Sequence, residues 1–220
     1  METVETQLKY KVLNVRNLTH DTYCLRFDKN NMAFKAGQHL VLELEDDRNA
    51  REYSIYSGEE DPYLEVLIKE VQEGHLSKKL KRIAKGQMVK IYGPYGHFTL
   101  DAVRKKTHKH VFIASGTGIA PFASFVRSNP GLNYQLLHGV RTNDEAYDKD
   151  QYESHRYVAC TSRDKKGDYH GRVTDYLINN DFDKDTLFYF CGNSQMIFDA
   201  MDILKDKGFE RHQMFAEVYF

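Results

Sequence analysis

Val111-Phe112-Ile113-Ala114-Ser115-Gly116-Thr117-Gly118-Ile119-Ala120-Pro121-Phe122 is the stretch on which the reading of this chain turns. Val111–Ala114 has the make-up of a short buried strand, and two glycines one residue apart then make a turn. Pro121 suits the first turn of a helix, where its missing N–H is no loss, and Phe122–Arg127 reads as that helix. A strand, a glycine turn and a helix form the local context in which backbone can wrap the phosphates of a dinucleotide. The pattern departs from the Rossmann GxGxxG, because Pro121 stands where the last glycine would be.

Downstream, the same rhythm continues. Tyr134–Gly139, Tyr157–Thr161 and Leu187–Cys191 read as strands, with helical stretches at Val173–Ile178 and Met196–Lys205. Strands alternating with helices imply βαβ units and a parallel sheet. Upstream the rhythm differs. Leu8–Val15, Thr22–Phe27, His39–Leu44, Tyr53–Tyr56, Tyr63–Ile68 and Met88–Tyr92 are short, rich in β-branched and aromatic residues and separated by polar or glycine turns. One helix, around Leu76–Ile83, interrupts them. The expected fold is an all-β antiparallel barrel followed by an α/β domain with a parallel sheet. The boundary is expected in the polar run Val103–His108, read as a solvated linker, dividing the chain into residues 1–104 and 105–220.

Composition narrows the class. The chain has 220 residues, enough for a sizeable core, and a formal net charge of −1, which argues against a nucleic-acid binder. No apolar run is long enough to cross a membrane, and the start of the chain lacks a signal-peptide core, so a soluble cytoplasmic protein is expected. Nothing marks an obligate interface, and a monomer is expected. Cys24, Cys160 and Cys191 form no CxxC pair and offer one thiolate too few for an all-cysteine iron–sulfur cluster, which takes four. No metal site is expected.

Four further segments accompany the glycine turn: Arg51-Glu52-Tyr53-Ser54, Gly93-Pro94-Tyr95-Gly96, Cys191-Gly192-Asn193 and the end of the chain, Phe215-Ala216-Glu217-Val218-Tyr219-Phe220. Arg51, Tyr53 and Ser54 supply within four residues a forked cation for phosphate, a flat ring and a hydroxyl. On a strand Arg51 and Tyr53 point to one side. Gly74-His75-Leu76-Ser77 reads either as an ordinary capped helix start or as a second phosphate site, where glycine and free N–H groups meet an anion. In the second half, Arg141, Arg163 and Arg172 sit at strand ends, with Ser162 beside them; they read either as donors suited to the 2′-phosphate of NADP or as ordinary surface arginines, with NAD then the alternative.

In order and spacing these motifs resemble the ferredoxin–NADP reductase superfamily, from about Lys9 to the last residue, and the GxGxxP form of the turn is that superfamily's own variant. The resemblance implies FAD and NADP(H) as cofactors, and hydride exchange between nicotinamide and flavin. Single electrons then pass to a separate ferredoxin or flavodoxin. Hydride transfer needs the two rings at about 3–3.5 Å, so most of the catalysis is positioning. Carried over residue by residue, the FAD set is Arg51, Tyr53, Ser54, Ile68, Lys69, Gly74, Leu76, Ser77, Thr117, Tyr219 and Phe220. The NADP set is Gly116, Thr117, Gly118, Pro121, Arg141, Ser162, Arg163, Arg172, Cys191, Gly192 and Met196. Ser54, Cys191, Glu217 and Tyr219 are expected around the reacting atoms. Either Tyr219 or Phe220 covers the flavin ring, and both also suit a terminal strand with core aromatics. Two other readings stand beside this one: an NAD(P)H-dependent flavin or ferric reductase, or an oxygenase reductase component using a separate carrier. A non-catalytic flavin-binding sensor is the reading of a different class.

Overall fold

The chain closes its first six strands into an antiparallel barrel and lays its last six into a parallel sheet. The computed structural model describes residues 9–45 and 47–218. By contacts it divides into two units: the chain up to Thr99 together with Ala123–Pro130, and Leu100–Phe122 together with Gly131 onward.

The first unit contains β1 (Lys9–Asn17), β2 (Thr22–Asp28), β3 (His39–Leu44), β4 (Asp47–Ser54), β5 (Tyr63–Lys69), helix α1 (His75–Lys81) and β6 (Met88–Tyr95). The strands pair in the order β4-β3-β6-β1-β2-β5, every neighbour antiparallel. A bridge from Ile55, just past β4, to Val66 on β5 joins the two ends of this order. Beside it Tyr56 N–H donates to the Glu65 carbonyl at 2.7 Å. Alternation along the strands turns Val12, Leu25, Phe27, Leu40, Leu42, Val66 and Ile91 inward, and all are buried. Leu76 and Leu80 of α1 complete that core.

One carboxylate lies within this apolar unit. Glu65 is buried and meets Arg26 at 3.0 Å and Arg127 at 3.5 Å. Arg127 also donates to the Tyr56 carbonyl at 3.0 Å. A buried charge needs such partners, because an unpaired one carries a large desolvation penalty.

In the second unit lie α2 (Arg104–Thr107), β7 (His110–Ser115), β8 (Tyr134–Val140), β9 (Tyr157–Thr161), β10 (Tyr169–His170), α4 (Val173–Asn179), β11 (Leu187–Gly192), α5 (Ser194–Asp206) and β12 (Met214–Val218). Helix α3 (Ala120–Ser128) starts in this unit, and from Ala123 onward it is counted with the first. All strand pairings are parallel, in the order β10-β9-β8-β7-β11-β12. Chain order reverses between β7 and β11. In open α/β sheets that switch point, at the carboxyl ends of the strands, is where ligands bind.

Three elements differ from the expectation. The fourth strand runs Asp47–Ser54 rather than Tyr53–Tyr56, because a polar stretch pairs with β3 and an apolar pattern does not show it. The linker run contains a four-residue helical turn, α2. β10 is only two residues long, below what periodicity can register.

Candidate functional site: a glycine cradle and a strand end

At the switch point three backbones are packed into one another. Gly118 lies so near β11 that a Cβ there would meet the Cys191 carbonyl oxygen at 2.3 Å and the Gly192 Cα at 2.7 Å. Gly192 has φ 129°, and its Cβ would fall 2.3 Å from Ser115 Oγ. Only glycine fits either position. Ser115 Oγ accepts from Asn193 N–H at 2.8 Å, tying the end of β7 to the residue that caps α5. Asn193 Oδ1 in turn accepts from Met196 N–H at 3.2 Å, the usual service of an N-cap side chain. Gly116 also takes a left-handed conformation, φ 53°, but a Cβ there would point into open space.

Beneath the turn lies His138, wholly buried on β8. Its Nε2 is 2.8 Å from the Gly116 carbonyl oxygen, and its Nδ1 is 2.7 Å from the Tyr157 hydroxyl. A carbonyl only accepts, so the ring proton sits on Nε2, and Nδ1 accepts from Tyr157. Burial lowers the His138 pKa to about 4, so the ring is neutral at physiological pH. Burial raises the pKa of the Tyr157 hydroxyl, which keeps its proton.

On the other flank of β7, the strand ends form a basic row. Register pairs Val140 with Thr161 and Thr161 with His170, so the residues after them emerge side by side. Arg163 N–H donates to the Arg141 carbonyl at 2.8 Å, and Gly171 N–H, next to Arg172, donates to the Thr161 carbonyl at 2.9 Å. Arg141, Ser162, Arg163 and Arg172 are all exposed. Among the described residues, none of these three guanidinium groups is held in an ion pair, although the Glu145 and Asp175 carboxylates accept from the backbone N–H of Arg141 and Arg172, and a row of guanidinium groups is suited to a phosphate.

In the barrel, Tyr53 lies opposite Leu40 and Arg51 opposite Leu42, which puts both on one side of β4. Ser54 faces the other way and is buried. Tyr53 packs against the core cluster containing Leu76 and Leu80, and burial pushes its hydroxyl pKa up to about 12. Arg51 is exposed, and its Nη1 donates to the Ala50 carbonyl at 2.8 Å. Helix α1 packs beside β4. Gly74 is its N-cap, and a Cβ there would meet Ser77 Oγ at 3.0 Å. Ser77 Oγ accepts from Val71 N–H at 3.2 Å, and the Ser77 carbonyl accepts from the buried Tyr23 hydroxyl at 2.6 Å. Ile68 is in the core, and Lys69 pairs with Asp21 at 3.3 Å.

The structure therefore gathers Arg51, Tyr53, Ser54, Gly74, Leu76 and Ser77 around β4 and α1. Separately, it gathers Gly116, Thr117, Gly118, Cys191 and Gly192 at the switch point. Pro121 is the second residue of α3, and Met196 lies in the first turn of α5. Cys191 is wholly buried and in register with Glu217 on β12. Tyr219 and Phe220 lie outside the described residues. His138 and Tyr157, which hold the turn from below, did not emerge from the sequence. Their one signal was a histidine inside an otherwise apolar strand run, Leu136-Leu137-His138.

A family model described as an oxidoreductase FAD-binding domain matches residues 9–100, and another described as an oxidoreductase NAD-binding domain matches residues 112–202. The chain belongs to the ferredoxin–NADP reductase superfamily. It is an oxidoreductase whose cofactors are FAD and NAD(P). It is 26% identical over 235 residues to the toluate 1,2-dioxygenase electron transfer component of Pseudomonas putida, spanning 99% of this chain and 69% of that one. Among solved structures it resembles a cytochrome P450 reductase from Amycolatopsis, with a TM-score of 0.87 and 25% identity, over 96% of this chain and 69% of that one. A ferredoxin NADP+ reductase from Neisseria gonorrhoeae with bound FAD and NADP shares the fold, with a TM-score of 0.85 and 24% identity, over 96% and 98% of the two chains. No helix among the described residues is long and apolar enough to cross a membrane.

Proposed function

We propose that this protein is an NADPH-dependent flavoprotein reductase that passes single electrons to a separate ferredoxin or flavodoxin. The observation that carries the reading is the row of Arg141, Arg163 and Arg172, three exposed guanidinium groups outside any ion pair among the described residues, beside the glycine cradle. When bound, the two cofactors supply hydride exchange between nicotinamide and flavin and stepwise release of the electrons.

The chain's own residues bind and orient. Gly116, Thr117 and Gly118 offer backbone to the dinucleotide phosphates, and α3 begins at that turn. Arg141, Ser162, Arg163 and Arg172 meet the 2′-phosphate. Arg51 would hold a flavin phosphate, and Tyr53, a neutral phenol half-buried against the core, would offer an apolar face to the ring. Gly74, Leu76 and Ser77 line the start of α1, and backbone at Ile68 and Lys69 supports the ring edge. Ser54 is assigned to the flavin side, and Cys191 and Glu217, in register on neighbouring strands, to the nicotinamide side; Tyr219 and Phe220 lie outside the described residues. Pro121, Gly192 and Met196 shape the dinucleotide side. We place the working boundary between the FAD and NADP domains near Arg104. Among the described residues the three cysteines are buried and none is in a disulfide, which accords with a cytoplasmic enzyme.

The curated relatives favour a second assignment of the carrier. Those matched over nearly the whole chain include dioxygenase and monooxygenase reductase components, so the partner here would be the ferredoxin of an oxygenase system. An anaerobic visible titration of the purified protein with NADPH and then NADH tests the core of the proposal. A flavin spectrum bleached at far lower NADPH than NADH is expected. Equal response to both sinks the role given to the arginine row, and a colourless protein that takes up no added FAD sinks the whole reading.

A further inference from the structure

The trans peptide between Gly116 and Thr117 is planar, so its carbonyl and its N–H point in opposite directions. The carbonyl is drawn inward by the buried ring of His138 at 2.8 Å. The Thr117 N–H therefore points away from the core. As an early N–H of the helical segment Gly116–Ile119, it has no acceptor within that segment.

The direction of that N–H depends on His138 being held in one orientation and one tautomer. Tyr157 does both, by donating to Nδ1 at 2.7 Å. Tyr152 stacks on Tyr157 with ring centroids 5.2 Å apart, and the ring of Tyr147 lies 5.7 Å from His138. All three tyrosines are buried. The groups facing His138 are thus a carbonyl, a hydroxyl and aromatic rings, and the charge of Glu145 also acts on it.

We propose that His138, locked by Tyr157, is a positioning residue that turns the Gly116 carbonyl inward and so aims the Thr117 N–H at the dinucleotide pyrophosphate. This rests on the NADPH-binding reading above. It assigns a part in cofactor affinity to a side chain that touches no cofactor. The role is directional. Removing the Nε2 donor frees the peptide to rotate, which affects a ligand bearing phosphates far more than one without them.

The test compares wild type with His138→Leu, His138→Gln and Tyr157→Phe, each first checked for folding by circular dichroism and for FAD content. NADP+ affinity is measured by calorimetry. Reduction of the flavin is measured with NADPH and with N-benzyl-1,4-dihydronicotinamide, a hydride donor that carries no phosphate. His138→Leu is expected to weaken NADP+ binding about tenfold, the effect of losing one hydrogen-bond-sized interaction. The rate with the phosphate-free donor should change far less. His138→Gln, which returns an N–H near the position of Nε2, should recover much of the loss, and Tyr157→Phe should give an intermediate value. Unchanged NADP+ affinity in both His138→Leu and Tyr157→Phe overturns the role. Equal losses with both donors do so as well, since they would mean a general collapse. If His138→Leu does not fold, Tyr157→Phe and His138→Gln still decide. A wild type that binds no NADP+ at all defeats the NADPH-dependent reading, and this role with it.

Discussion

The two segments proposed to bind cofactors, the glycine turn after β7 and the Arg51–Ser54 end of β4, are built in opposite ways. At the turn, backbone lies on backbone: Gly118 against Cys191, and Gly192 against Ser115, with a buried histidine underneath. At the strand end, the backbone is paired like any other strand and the chemistry is carried by side chains, one of them exposed. Fold and proposed ligand site are therefore the same object at the turn and separable objects at the strand. Substitutions that bear on this contrast fall in a clear order of expected effect.

The largest effect is expected at Gly118. A Cβ there meets carbonyl oxygen and carbon of Cys191 at 2.3 and 2.6 Å, and neither belongs to a side chain that can swing away. Gly118→Ala should destabilise by about 4 kcal/mol, at the upper end for a single substitution, and abolish NADP+ binding. Gly116→Ala is the control. Its Cβ meets nothing, so only the left-handed backbone resists it, at about 1–2 kcal/mol. Urea denaturation of the two variants compares them directly. Equal losses would break the contrast between crowding and conformation within the turn.

A smaller effect follows from the neutral histidine. With a folded pKa of about 4 against an ordinary value of about 6.5, His138 takes up its proton in the unfolded chain first. The stability it permits is complete above pH 6.5 and is lost as pH falls toward 4. Between pH 7 and pH 5 the loss is about 2 kcal/mol, before most carboxylates titrate. His110, also buried and also shifted downward by burial, adds a loss of the same sign. A His138→Gln variant should show a shallower fall over this window, with the part due to His110 remaining. Parallel curves for variant and wild type would mean that His138 is not neutral in the folded protein.

How much of this was legible in the sequence differs between the two regions for the same reason. Val111–Pro121 could be read because a glycine turn after an apolar strand is a local pattern, and its neighbours β8, β9 and β11 repeat the strand signal. What holds the turn was hidden. Ser115, His138 and Asn193 come from three strand ends that meet only through the strand order β8-β7-β11. A histidine next to Leu137 looks like a core residue, and it is one; its second task depends on a carbonyl 22 positions away in the chain. In the barrel the motif Arg51–Ser54 was legible but its strand was misplaced. Four of the five residues from Asp47 to Arg51 are polar, which leaves no hydrophobic alternation to detect, although the segment pairs with β3. The closing bridge Ile55–Val66 is likewise a contact between segments with no shared pattern.

The smallest effect on stability, and the sharpest probe of the contrast, is Arg51→Ala. The guanidinium is exposed and, among the described residues, bonds a neighbouring carbonyl, so its loss should change stability by no more than about 0.5 kcal/mol. Flavin affinity should nevertheless fall between about tenfold and a hundredfold, because a charge-assisted contact to phosphate is worth about 1.5–3 kcal/mol. Arg51→Lys should recover part of that, since an ammonium restores the charge but not the paired donors of the fork. Apoprotein titrated with FAD, followed by quenching of flavin fluorescence, measures both variants on one scale. If Arg51→Ala unfolds the barrel, or if it leaves FAD affinity unchanged, then the strand end does not separate binding from folding. The difference between the two regions would then reduce to how tightly each is packed.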